Sequence, residues 1–543
     1  MLSMGMLGGG LALAAEPAPE GAAVAARFPD PAVRYLTPVF EPGRDTFTSN
    51  AELRALMQQL ARDSQLAPVG GVRISLRWLG TSQTGVPLEA LLFARDDTAA
   101  PGSISVPASA LPSDASLDRA PRPTVLLIGQ QHGDEPASAE ALIVIAQELA
   151  HGRLQALLDR IDVIVLPRAN PDGAAAGQRF TASGVDMDRD HLLLRTPEAQ
   201  ALAQLAREFE PVVFVDAREY PVPGHFVEKF AALPRADAQF QYAMTANLSE
   251  FIGRASQEWF REPVLRALRA QHLSTDWHHT TSIDLADLKV SMGEVAPASG
   301  RNVHGLRNAV SLLVETRGAG LGRAHLLRRV HTQVTAITSV LNSAAEHAAD
   351  LRKLRRFVDA EVAAKACLGE VIVEAAATRG EYDLLMLDAT SGADKRVTVT
   401  WESALELVPM TRRARPCGYW LGAGQADAVR HLRELGVQVQ RIEEASVLRA
   451  EAYTRKSRGE TEVPDHLSDA AGLLRLSVGL KAALVDADVG SYYVGLDQPL
   501  AHLIVVALEP DTRSSWVANR IVTDLSALAR VTQRPDAPMT TLP

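Results

Sequence analysis

The feature that most constrains this chain is a succession of short, continuous apolar segments at 124–129, 161–167, 212–216 and 311–315. They are separated by stretches with helical spacing of apolar residues at about 136–150, 198–208 and 324–341. A strand that is apolar at every position has both faces buried, and alternation with amphipathic helices makes the sheet mainly parallel. The expected fold class is α/β: a mostly parallel or mixed sheet covered by helices on both faces. In such sheets chemistry gathers in the loops beyond the strand C-termini. His132, Glu135, Asp216 and Glu315 all sit at or just past such ends.

The 543 residues exceed one ordinary core. Residues 1–15 read as a signal peptide ending in Ala12-x-Ala14, which implies an exported, periplasmic or extracellular protein. Residues 16–120 form a lead-in, with a helix at 50–60, strands at 73–80 and 87–94, and a Pro/Ser/Ala-rich loop from Asp96 to Pro123. The core domain spans 121–345. A smaller, mixed C-terminal domain spans 346–543, with strands expected at 370–374, 384–388, 396–401, 416–421, 437–439, 491–494 and 503–508. A net charge of −10 argues against nucleic-acid binding, and the basic run 351–356 fits the solvated face of a helix. No internal apolar stretch is long enough for a membrane span. Cys367 and Cys417 are too few for a zinc–thiolate site. They read as separate buried thiols, with one bridge as the alternative in an oxidising compartment. Oligomeric state leaves no signature.

The chemistry concentrates in four places. His132 and Glu135, three residues apart on the turn leaving a strand, can converge on one metal ion that keeps an open position for water. Arg179 and Arg189, beyond another strand, can clamp a carboxylate and polarise a carbonyl. The stretch 216–220 closes a third strand, and Glu315 closes a fourth, suited to act as general base. The glycines of 318–322 suggest a tight turn rather than a dinucleotide site, and neither G-x-S-x-G nor a P-loop occurs.

Over about 120–345 the chain resembles the M14 zinc carboxypeptidases. The resemblance rests on His132-x-x-Glu135, Asn170-Pro171-Asp172-Gly173, Arg179, Asp186-Met187-Asp188-Arg189-Asp190, Asp216-Ala217-Arg218-Glu219-Tyr220 and Glu315-Thr316-Arg317-Gly318, in the family's order. The segments Leu496–Leu500 and Leu508–Pro510 look like the tail of a large exported bacterial branch. The resemblance implies a carboxypeptidase-like fold, with Zn2+ bound by His132 and Glu135. Arg179 would stabilise the oxyanion, Arg189 would hold the terminal carboxylate of a peptide or amino-acyl substrate, with Asp188 beside it at the other substrate-binding position, and Glu315 would activate water.

Two positions depart from the family's pattern. The third zinc ligand is a histidine in the family, but here it is Arg218, which has no lone pair to give. The partner of Arg189 is usually asparagine, but here it is Asp188. The nearest substitute ligand is His225, ahead of His191, His278, His279 and His304. The loop 292–301 also lacks the tyrosine that some members use as a proton donor. The sequence thus points to a zinc-dependent carboxypeptidase. An N-acyl amino acid deacylase on the same scaffold is an alternative. A catalytically impaired peptide-binding scaffold is the reading that Arg218 and Asp188 favour.

Overall fold

A computed structural model describes residues 20–66, 71–95, 121–222, 224–456, 476–512 and 514–543. The expected leader at 1–15 and most of the loop from Asp96 lie outside the described residues.

The main sheet contains β1 (Val72–Thr81), β2 (Pro87–Arg95), β3 (Thr124–Gly129), β4 (Asp162–Leu166), β5 (Val213–Pro221), β6 (Ala238–Tyr242), β7 (Thr275–Trp277) and β8 (Val310–Ala319), in the order β1-β2-β4-β3-β5-β8-β6-β7. The four central strands, β4, β3, β5 and β8, run parallel. The β1–β2 hairpin adds antiparallel to β4, so this part of the lead-in belongs to the central sheet. Alternation along the strands assigns two faces. Val125, Leu127, Val163, Val165, Val213 and Val215 pack in one cluster with residues of α1 (Asn50–Leu66) and α2 (Pro136–His151). Leu126, Ile128, Ile164, Leu166 and Phe214 face α3 (Pro197–Phe209). Thr196 caps α3 by accepting from Ala199 N, and Pro197 opens its first turn. After β8, α4 (Leu326–Glu346) returns along the α2 side, where its Val330 packs with Ala137, Ala141 and Val144.

Beyond α4 come a second long helix, Ala348–Ala364, and a long antiparallel ribbon of β9 (Glu370–Asp388) and β10 (Asp394–Ala414). The expected short strands at 370–374, 384–388 and 396–401 are parts of this ribbon. The C-terminal unit is a seven-stranded sheet in which every pairing is antiparallel.

Three expectations are corrected here. Residues 503–508 are not a strand but part of the helix Ala501–Leu508, buried on every side. A short apolar run cannot tell a buried helix from a buried strand by periodicity. The strand expected at 437–439 begins three residues later, as Gln440–Ile442. Finally, Cys367 and Cys417 are not separate thiols but a disulfide at the foot of the β9–β10 ribbon.

Candidate functional site

Three parallel strand ends and two loops build one buried polar cluster. After Gly129 the chain turns at Gln130, whose φ is 48° and whose side-chain amide donates to Gly133 O. This folds His132 back over the strand end and brings Glu135 to the start of α2. The turn is seated tightly, because a Cβ on Gly133 would lie 1.9 Å from the carbonyl carbon of Gly173.

His132 is fully buried between two carboxylates. Its Nδ1 lies 2.6 Å from Glu135 Oε1 and its Nε2 lies 3.0 Å from Asp186 Oδ1. The other Glu135 oxygen accepts from Glu219 N. Burial and Arg179 act against the charged imidazole, but Glu135 and Asp186 outweigh them and raise His132 above its ordinary range. Arg179 donates twice to Asp186 Oδ2.

Strand β5 is buried from Val213 to Tyr220, and its alternation divides its charges between two faces. Asp216 and Arg218 share one face. Glu219 points to the other, where Arg329 of α4 clamps it at 2.7 and 2.9 Å. On β8, Glu315 is in register with Arg218. The guanidinium of Arg218 ends among acidic groups: Nη1 is 3.2 Å from Asp188 Oδ2 and 3.9 Å from Asp216 Oδ2, while Nε is 3.5 Å from Glu315 Oε1 and 3.8 Å from Glu135 Oε2. Nη2 is 3.2 Å from His132 Nδ1.

The surroundings set the charges. Burial resists ionisation of Glu315, but His278 and Arg218 hold its carboxyl down at about 2. For Asp216 burial wins: with the nearby Asp188 it pushes the carboxyl up to about 7 against the pull of Arg218. Asp188 is held well below the usual carboxylate range, burial being overcome by Arg218 and Arg189.

Of the residues singled out from sequence, His132, Glu135, Arg179, Asp188, Arg218 and Glu315 are brought together. Arg189 lies at the rim, near Asp188 and paired with Glu294 of the loop before the helix Gly300–Leu306. Asp172 lies elsewhere, latching the β1–β2 turn through Ser82 and Thr84. His225 is half-exposed, bonded to Glu228, and is not among the groups around Arg218. The cluster also recruits His278, whose Nδ1 lies 2.8 Å from Glu315 Oε2. In the sequence it was one of four weak histidines, and only its place after the short edge strand β7 reveals it.

The donor set does not fit zinc. His132 and Glu135 are turned on each other and on Arg218, which cannot ligate. Among the described residues, no three His, Cys, Asp or Glu side chains converge in a way that could hold a metal ion. No helix there is long and apolar enough to cross a membrane.

Comparison with known proteins bears on this geometry. Residues 71–222 match the family model Peptidase_M14, zinc carboxypeptidase. Carboxypeptidase 2 of Trichophyton rubrum is 28% identical over 411 residues, 73% of this chain and 74% of that protein. Carboxypeptidase D of Rattus norvegicus is 39% identical over 126 residues, 22% of this chain and 9% of that one. A metallo-carboxypeptidase structure from Burkholderia cenocepacia covers 53% of this chain and 68% of its own, with 18% identity and a TM-score of 0.37. The sequence likeness supports the zinc carboxypeptidase family for the segment that carries His132, Glu135, Arg179, Asp188, Arg189 and Arg218.

Proposed function

We propose that this carboxypeptidase-like protein receives the free C-terminal end of a peptide, or an amino-acyl group of the same chemistry, and holds it without a zinc-activated water. The observation that carries the reading is the exposure of two cations in an otherwise buried cluster. The side chains of Arg179 and Arg189 are 33% and 26% exposed, against 10% for Arg218 and 3% for Glu315. A guanidinium fork matches a carboxylate, so these two arginines are the groups that an incoming anionic chain end meets first. Glu294 occupies Arg189 in the free protein and would yield to the ligand. Asp188 does not repel the ligand, because it is turned inward: one oxygen faces Arg218 and the other accepts from Gly300 N.

The hydrolase readings, peptidase or N-acyl amino acid deacylase, require Glu315 to take a proton from water. Glu315 is instead turned on Arg218 and His278, and a carboxyl held at about 2 is a weak base at neutral pH. The disulfide supports an oxidising compartment, in keeping with export.

Calorimetric titration with one peptide carrying either a free or an amidated C-terminus, followed by mass spectrometry of the mixtures, tests the proposal. Binding of the free form alone, with neither form cut, is the expected result. Equal affinity for both forms, or release of a C-terminal residue, would overturn it.

A further inference from the structure

The two positions where this chain leaves the zinc carboxypeptidase pattern touch each other. Arg218 and Asp188 come from a strand and a distant loop, and both are nearly sealed from solvent, with side chains 10% and 6% exposed. In the family pattern the same positions carry a histidine and an asparagine, two neutral side chains beside a divalent cation. Here one is a cation and the other an anion, and their facing atoms are 3.2 Å apart.

The rest of the cluster is arranged around the guanidinium in the same sense. The two donors that the pattern offers to a metal, His132 Nδ1 and the Glu135 carboxylate, lie within 3.2 and 3.8 Å of Arg218. Asp216 is fully buried, accepts no hydrogen bond at either oxygen, and has one oxygen 3.9 Å from Arg218 Nη1. Without a positive charge at their centre, Glu135, Asp188, Asp216 and Glu315 would face one another across a dry space, which low polarity makes strongly unfavourable. The backbone under Arg218 is held in register with β8 at Glu315, one residue beyond the last pairing of β5 with β3, at Ala217.

We propose that Arg218 is the resident cation of this site: its guanidinium puts a single positive charge where the family's pattern has a divalent metal ion, with Asp188 as its dedicated counter-charge. The exchanges at 218 and 188 are then one change rather than two. A tethered guanidinium supplies charge and hydrogen bonds without coordination, so the cluster is complete without zinc, and zinc can enter only if Arg218 leaves. Removing Arg218 alone strands Asp188. Restoring histidine at 218 together with asparagine at 188 rebuilds the three-donor arrangement. This inference stands on the cluster alone, and binding or non-binding of peptides by the natural protein leaves it untouched.

The test compares the full chain with Arg218→His/Asp188→Asn and with Arg218→Met/Asp188→Asn, which removes both charges and supplies no donor. Each is equilibrated with zinc, dialysed against metal-free buffer, and assayed for zinc by atomic emission and for thermal unfolding at rising zinc. The natural chain and the Met/Asn variant should emerge zinc-free and melt independently of zinc. The His/Asn variant should retain about one zinc per chain. Its melting temperature should rise with zinc, as required of a ligand that binds the folded state. Stoichiometric zinc in the natural chain would overturn the proposal, as would a His/Asn variant with a native circular dichroism spectrum that takes up none. On the same melts, Arg218→Met alone, which strands Asp188, should be less stable than the Met/Asn double, and the two single exchanges should not be additive. Additive singles would remove Asp188 as the counter-charge.

Discussion

Arg189, at the rim of the cluster, is engaged by Glu294 from the loop that precedes the helix Gly300–Leu306. A ligand carboxylate therefore competes with a carboxylate of the protein itself. Glu294→Gln should tighten binding of peptides with free C-termini, and Arg189→Gln should weaken it by roughly tenfold to a hundredfold, the worth of a charge-assisted pair. Titration calorimetry on the three proteins checks both directions, and amidated peptides should register neither change.

Breaking the buried ion pair from one side leaves an uncompensated charge. Arg218→Met should cost about 3–5 kcal/mol in urea unfolding, Asp188→Asn should cost less because Glu135, Asp216 and Glu315 stay beside Arg218, and the double exchange should cost clearly less than the sum of the two. Equal losses from the double and the summed singles would mean the contact carries no coupling.

Two carboxyls of the cluster make opposite demands on pH. Asp216 sits at about 7 in the folded chain against 3.8 for an ordinary aspartate. Its stabilising contribution is complete below about 4 and is lost as pH rises through about 7. Glu315 sits at about 2 against 4.5, so its contribution is complete above about 4.5 and is lost as pH falls towards about 2. Asp216→Asn cannot ionise and should flatten stability between pH about 4 and about 8, where one proton accounts for at most roughly 1.4 kcal/mol per unit. Urea midpoints across that window decide it: parallel curves for the two proteins would exclude Asp216 as the source.

The turn carrying His132 depends on a missing side chain. In Gly133→Ala the new carbon would meet the backbone of Gly173 and Ala174 at 1.9 and 2.3 Å, atoms that no rotamer change can move. A loss of about 3 kcal/mol or more is expected, at the upper end of overpacking. Gly253→Ala, in the helix Glu250–Ala255 with nothing within 4 Å, should be neutral or slightly stabilising. Thermal melts of both variants make the comparison.

The centre of the sheet was legible because its parallel strands are built on near-continuous apolar runs, a pattern that burial on two faces enforces and a solvated strand cannot sustain. The site was legible for the related reason that strand ends collect polar residues only where something needs them, which pointed to His132, Glu135 and Glu315. Arg218 and Asp188 each stood out as departures, yet nothing local joins them. Their contact depends on the register of β5 and on how the 186–190 loop closes, both long-range outcomes. His278 was opaque because β7 is three residues long and polar, too short to carry a period. The helix Ala501–Leu508 was misjudged because complete burial erases the contrast from which periodicity is read.

The bridge between Cys367 and Cys417 closes a covalent ring containing the whole β9–β10 ribbon, since β9 begins at Glu370 and β10 ends at Ala414. Part of that ribbon is open to solvent, with Leu405 and Met410 more than half exposed. A nick anywhere along it would open the ring without dividing the molecule, because the fragments stay joined through sulfur. In surroundings rich in proteases, cleavage within this exposed ribbon thereby separates nothing.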